Sequence, residues 1–278
     1  RVSGPALNMA EVVPTADPVK RRLELDAAAE MVRSSYTSAR NEEERFIVAD
    51  KALARYDQLL AAWKDEPSAQ NDVRRARIDR MGALLVRKRT SEVIKEYESL
   101  SASGEVPNYA KRWVASAWLS ERQPKKTEAM LMSIYYPNGP IPVTPLGPED
   151  QQDLFYAHID NENFDAAKKQ VENLIKESPY LRRIYGSPTP QPNDNWLLGQ
   201  SLLTQYHIAA NELPEAEKLS EHLARTGSGN QGLRISYASV LEARGLPHAA
   251  EKELKLAEVI EPSNLELERQ QAYVASDL

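Results

Sequence analysis

Apolar and small residues recur along this chain in a helical rhythm, and the rhythm itself repeats. Residues 244–264 read RGLPHAAEKELKLAEVIEPSN. Ala250, Leu254 and Ala257 fall at i, i+4 and i+7, which is one face of a helix. Gly245 sits where a turn would precede that helix, and Pro262 where the helix would stop. Leu241 and Ala238 lie on the helix before the turn. Alanine lets two helix backbones approach, glycine accepts a left-handed turn, and proline cannot continue a helix.

The same arrangement returns upstream. Ala216, in NELPEAEKLSEHLA, precedes Ala250 by 34 residues, and Thr127 follows Val93 by 34. In FYAHIDNENFDAAKKQVENLIKESP, Ala167 and Pro179 have the spacing of Ala250 and Pro262, with Phe155, Phe164, Val171 and Leu174 between or before them. WVASAWLSERQPKKTEAMLMSIYYP supplies Ala115, Trp118, Leu131 and Ile134; RIDRMGALLVRKRTSEVIKEYESL supplies Met81, Leu84, Tyr97 and Leu100. A period of about 34 residues with small residues at helix contacts and a closing proline is the tetratricopeptide repeat, TPR. The chain is therefore expected to be all-α: a TPR helical-repeat solenoid of about six antiparallel helix pairs in a right-handed superhelix, spanning 18–278 after an extended segment over 1–17. Two further amphipathic helices, over roughly 18–38 and 41–64, fit the repeat loosely. Proline-rich stretches at 136–148 and 180–196 interrupt the array, and the second lengthens one step from 34 to 49 residues. Such insertions map to loops, where binding function concentrates. Ala238 plus 34 is Ala272, so the chain stops mid-repeat or in a capping helix. With no initiator methionine and no signal peptide, it reads as a piece of a longer protein.

Composition narrows the chemistry. With 41% hydrophobic and 27% charged residues over 278 positions, the chain can bury a core. A net charge of −6 without a clustered basic face argues against nucleic acid and favours a cationic partner. The lack of cysteine excludes disulfides and thiolate metal sites, and fits both cytosol and periplasm. No apolar run is long enough to span a bilayer as a helix. The four histidines make no paired-ligand spacing; His158-Ile159-Asp160 reads as two helix residues rather than a metal triplet. No metal, no cofactor and no catalysis are expected. The carboxylates read mostly as solvated helix faces, Glu251, Glu253 and Glu258 among them.

The aromatic residues carry more information. Trp113 and Trp118 share one first helix, Phe155 and Tyr156 another, Trp196 and Tyr206 a third. Trp118 and Phe155 are expected in the core. Positions 2, 5, 9 and 12 of a repeat's first helix share a face. In one repeat these are Glu149, Gln152, Tyr156 and Ile159, with Asp160 alongside. A tyrosine beside carboxylates suits a sugar or an ammonium group. Asp194 is a candidate N-cap for the helix after the second insertion. A clamp for C-terminal carboxylates would need Lys at position 5 and Asn at position 9; the pairs Ile78/Gly82, Arg112/Ser116, Gln152/Tyr156, Ser201/Gln205 and Ile235/Ser239 do not supply it.

Beyond the generic repeat, MGALLVRKR, RWVASAWLSERQPKK, DLFYAHIDNENF, GSPTPQPNDNW and GNQGLRISYASVLEARGLPHAAEKELKLAEVIEPSN resemble the periplasmic TPR domain of the poly-β-1,6-N-acetyl-D-glucosamine outer-membrane exporters. The similarity runs from about Asn41 to Leu278. The resemblance implies a non-enzymatic periplasmic scaffold, tethered to the outer membrane through its own C-terminal β-barrel, which lies outside this chain. Its partners would be the periplasmic polysaccharide deacetylase lipoprotein and the partially de-N-acetylated polymer. The residues expected to bind polymer or partner are Glu149, Gln152, Tyr156, Asp160, Asn193, Asp194 and Trp196. The last three match the exporters' insertion loop. The alternative is a TPR adaptor that binds only protein, without sugar contact.

Overall fold

A computed structural model describes residues 17–37, 39, 42–178, 181–182, 191–227, 229–260 and 265–276. Residues 1–16 of the extended segment expected over 1–17, and the closing prolines Pro179 and Pro262, lie outside these residues. The chain divides into two compact units, Arg1–Met130 and Leu131–Leu278.

The first unit contains α1 (Pro18–Thr37), α2 (Glu42–Trp63), a 3-10 turn (Pro67–Ala69), α3 (Gln70–Val86), α4 (Thr90–Ala102) and α5 (Asn108–Ser120), and its boundary falls within α6 (Pro124–Tyr135). Each helix packs on the next from α1 to α5, and the alternate helices α1, α3 and α5 also touch in series. That pattern is the helix-pair stacking of a TPR array. One apolar core runs through the unit, with Tyr56, Leu59, Trp63, Met81 and Leu84 fully buried. The buried Arg21 anchors α1: its Nε donates to Asp72 at 2.6 Å and its Nη2 to the Ser68 carbonyl at 2.9 Å.

The second unit contains α7 (Pro148–Asp160), α8 (Phe164–Glu177), α9 (Asp194–Ala209), α10 (Leu213–Thr226), α11 (Gln231–Ala243), α12 (Pro247–Ile260) and α13 (Leu265–Ser276). Here α7, α9, α11 and α13 touch in series as the alternate helices do in the first unit. Two short strands, β1 (Leu181–Arg182) and β2 (Gln191–Pro192), pair antiparallel across the second proline-rich insertion. The first insertion is tied at its base: the Val143 N–H donates to the Tyr135 carbonyl at 2.8 Å, and the buried Tyr135 hydroxyl donates to Asp150 at 2.5 Å.

The residues that recur at the 34-residue contact position are buried. Val93, Thr127, Ala167, Ala216 and Ala250 have no exposed area. Thr127 stands where other repeats carry a small apolar residue, and its hydroxyl is satisfied by the Ala115 carbonyl on the facing helix at 2.8 Å. Five residues before each of these positions lies a left-handed residue: Lys88, Arg122, Glu162, Asn211 and Gly245, with φ between 57° and 72°. In every case the next N–H reaches back five residues to a helix carbonyl, as Arg89 does to Leu84 and Leu246 to Leu241. This is a Schellman closure, repeated at each turn. Only Gly245 fills the left-handed position without a side-chain penalty.

Candidate functional site

On α7, Glu149, Gln152, Tyr156 and Asp160 are all exposed. Their spacing of 3, 4 and 4 residues brings them onto one face of that helix. Tyr156 is 40% exposed, and its ring meets the buried Phe155 edge-on at 5.3 Å between centroids. Phe155 belongs to the core shared by α7, α8 and α9, so the exposed tyrosine rests on a packed support. The face thus presents one ring between two carboxylates, a geometry that accepts a cation by charge and by the ring's electron-rich face. His158 is buried, while Asp160 is exposed on the opposite side of the helix.

Asn193, Asp194 and Trp196 gather at the start of α9, a helix that packs on α7. The N-cap is Asn193 rather than Asp194: the Asn193 side-chain oxygen accepts from the Asn195 N–H at 3.0 Å. Asp194 is the first helical residue, where its charge favours the positive end of the helix. Trp196 is half-buried one turn in. The seven expected residues therefore fall into two groups, four along α7 and three at the head of α9.

The first unit holds a second candidate that the sequence reading passed over. Ala29, Val32 and Arg33 of α1, Tyr56 of α2, Arg75 and Asp79 of α3, and Tyr109 and Trp113 of α5 line a cleft of about 380 Å³. The Tyr109 hydroxyl donates to Asp79 Oδ1 at 2.9 Å, and Arg75 Nε approaches Asp79 Oδ2 at 3.4 Å. Arg75 also donates from Nη2 to Asp26 at 2.7 Å. Tyr109 and Trp113 meet edge-to-face at 5.2 Å. Trp113 lies against Gly82, where a Cβ would stand only 3.1 Å from its ring, so the glycine makes room for the indole. Burial raises the Asp79 pKa above the ordinary aspartate value, more than Tyr109 and Arg75 lower it. Burial and the neighbouring Asp79 likewise raise the Tyr56 and Tyr109 phenols.

A signal for this cleft was present in the sequence. Arg75 and Tyr109 stand 34 residues apart, at position 2 of successive first helices, and Asp79 and Trp113 are 34 apart at position 6. The position rule that selected Glu149 on α7 selects Arg75 and Tyr109 as well. Tyr56 carries no such signal, because α2 fits the repeat loosely.

No family model matches the chain. Over 254 residues, 91% of its length, the chain is 44% identical to the poly-beta-1,6-N-acetyl-D-glucosamine export protein of Escherichia coli K12, and equally to that of Escherichia coli O157:H7. It spans 31% of the length of these relatives, so the resemblance read from the sequence holds for about a third of an export protein. Among solved structures, a tetratricopeptide repeat protein from Parabacteroides merdae superposes with a TM-score of 0.56, at 14% identity, covering 91% of this chain and 86% of that one. The fold is a TPR array.

Proposed function

We propose that this array is a non-enzymatic periplasmic scaffold of a poly-N-acetylglucosamine exporter. In this reading it holds the partially de-N-acetylated polymer, docks the periplasmic deacetylase, and passes the polymer toward an outer-membrane barrel formed by another part of the same protein. The observation that carries the proposal is the 44% identity to export proteins across nine-tenths of the chain. The α7 face gives it a chemistry. A de-N-acetylated unit carries an ammonium group near neutral pH, and Glu149, Tyr156 and Asp160 form an exposed acidic and aromatic strip. Each exposed contact of this kind is worth on the order of 0.5–1 kcal/mol. Several weak contacts suit a polymer that must slide.

The test is a titration of the chain with partially de-N-acetylated and fully acetylated β-1,6 oligomers at low and high salt. The proposal expects the de-N-acetylated oligomer to bind with a clear loss of affinity as salt rises, and Tyr156→Ala to weaken it. A pull-down that retains the deacetylase, with no oligomer binding in any condition, would instead establish the protein-only adaptor.

A further inference from the structure

The α1–α3–α5 cleft differs in chemistry from the α7 face. Its walls are aromatic and small apolar side chains with Arg33, Arg75 and Asp79, and the carboxylates paired with these arginines are already engaged: Glu30 by Arg33, Asp26 and Asp79 by Arg75. An ammonium entering here meets two guanidinium groups and no unshared carboxylate among these three. A neutral, partly apolar group meets Trp113, Ala29 and Val32. At the cleft floor the Tyr56 hydroxyl is buried and makes no hydrogen bond among the described residues. A buried donor left unpaired costs stability that a ligand acceptor can return. Tyr109 stands at the rim, 38% exposed, with its hydroxyl on Asp79. A phenol donating to a carboxylate beside an indole is the arrangement a sugar hydroxyl would adopt over the same pair.

We infer that this cleft is a subsite for an N-acetylated hexosamine unit. A sugar hydroxyl takes the place of the Tyr109 hydroxyl on Asp79, and the Tyr56 hydroxyl, on the same cleft lining, donates to the acetamido carbonyl. The acetamido methyl lies against Ala29 and Val32, and the sugar's apolar face against Trp113. The inference rests on the polymer reading above and deepens it: the array would read both kinds of unit, acetylated at the cleft and de-N-acetylated on α7.

Binding of fully acetylated and fully de-N-acetylated β-1,6 oligomers is measured calorimetrically for the wild-type chain and for Tyr56→Phe, Trp113→Ala and Tyr156→Ala. Acetylated binding is expected to fall about tenfold in Trp113→Ala and severalfold in Tyr56→Phe, with little salt dependence, and to be unchanged in Tyr156→Ala. Tyr56→Phe should also raise the unfolding midpoint, because it deletes an unpaired buried hydroxyl. A residue that only packs would show that gain without any loss of binding, and that result overturns the subsite. So does an acetylated oligomer that binds equally to all variants, or a cleft that responds only to a peptide of the deacetylase. If the de-N-acetylated oligomer alone binds, and Tyr156→Ala weakens it, the polymer reading stands and the subsite falls. If neither oligomer binds, both fall.

Discussion

The two units share one helix-pair geometry and one turn, yet equivalent positions carry different sets of side chains. At positions 2 and 6 of the first helix, the first unit has Arg75 and Asp79, then Tyr109 and Trp113, while α7 of the second has Glu149 and Asp153. In the first unit these residues close on one another through a hydrogen bond, an ion pair and a ring contact, and the buried Tyr56 lines the same cleft. On α7 the candidate residues lie along an exposed strip. Closure favours a neutral ligand that can replace internal contacts, and an open acidic strip favours a mobile cation. The repeat fixes where a side chain is offered to a partner and leaves its chemistry open.

The largest effect should come from removing the support beneath one region while sparing the other. Phe155 has no exposed area and lies in the α7–α8–α9 core. Phe155→Ala is expected to cost about 3–5 kcal/mol in denaturant unfolding. It should abolish binding of the de-N-acetylated oligomer and leave acetylated binding intact at temperatures where the first unit stays folded. Its neighbour Tyr156, exposed on the same helix, should cost less than about 1 kcal/mol on truncation to alanine. If Phe155→Ala erased both activities equally, the two regions would not be separable sites.

Gly82→Ala tests the closed region through Trp113, at a residue with no proposed ligand contact of its own. The new methyl would stand 3.1 Å from the Trp113 indole, so the ring must shift. Alanine is also the better helix former by about 1 kcal/mol, which offsets the crowding. The expected outcome is near-neutral stability with a fivefold or greater loss of acetylated-oligomer affinity, and no change for the de-N-acetylated oligomer. Measuring affinity and melting temperature together separates displacement of Trp113 from general damage.

Much of the fold was legible because helix contacts demand small or apolar residues at fixed spacing. Val93, Thr127, Ala167, Ala216 and Ala250 announced themselves by number alone, and all are buried. The left-handed turns were legible only at Gly245; Lys88, Arg122, Glu162 and Asn211 adopt the same conformation, the first three against their own preference, so composition hid four of five. The α7 strip followed from helical periodicity, since one exposed face of one helix needs no tertiary information. The cleft needs four helices to converge, two of them outside the clear repeat. Its key residues are ordinary in sequence: an arginine and an aspartate four apart, and a tyrosine on a helix that fits the repeat loosely. The position of the N-cap, one residue before Asp194, depended on backbone geometry that two adjacent capping residues could equally supply.

A smaller effect distinguishes the open strip by its electrostatics. Glu149→Gln with Asp160→Asn removes two exposed carboxylates from α7 and alters no buried contact. De-N-acetylated oligomer should bind about two- to fivefold more weakly at low salt, with the difference shrinking above physiological ionic strength. Acetylated binding should not respond. A loss that persisted at high salt would point to shape rather than charge on this face.

The smallest expected signal lies in the closed region, at Asp79, and its sign follows from linkage. Its folded pKa is raised, first by burial and in lesser part by Asp26, against the lowering by Tyr109 and Arg75. Below the ordinary aspartate range both folded and unfolded carboxyls are protonated, and the group contributes nothing to the pH dependence. As pH rises through that range, the unfolded carboxyl ionises while Asp79 keeps its proton. The unfolded state then binds fewer protons, so the wild-type chain loses stability until Asp79 itself ionises. Asp79→Asn cannot ionise and lacks this slope. The unfolding midpoint of the variant, relative to wild type, should therefore climb between the two pKa values and then level off. A relative midpoint that fell with rising pH would mean that the Arg75 and Tyr109 contacts outweigh burial, and the closed region would then already be built to hold a charge.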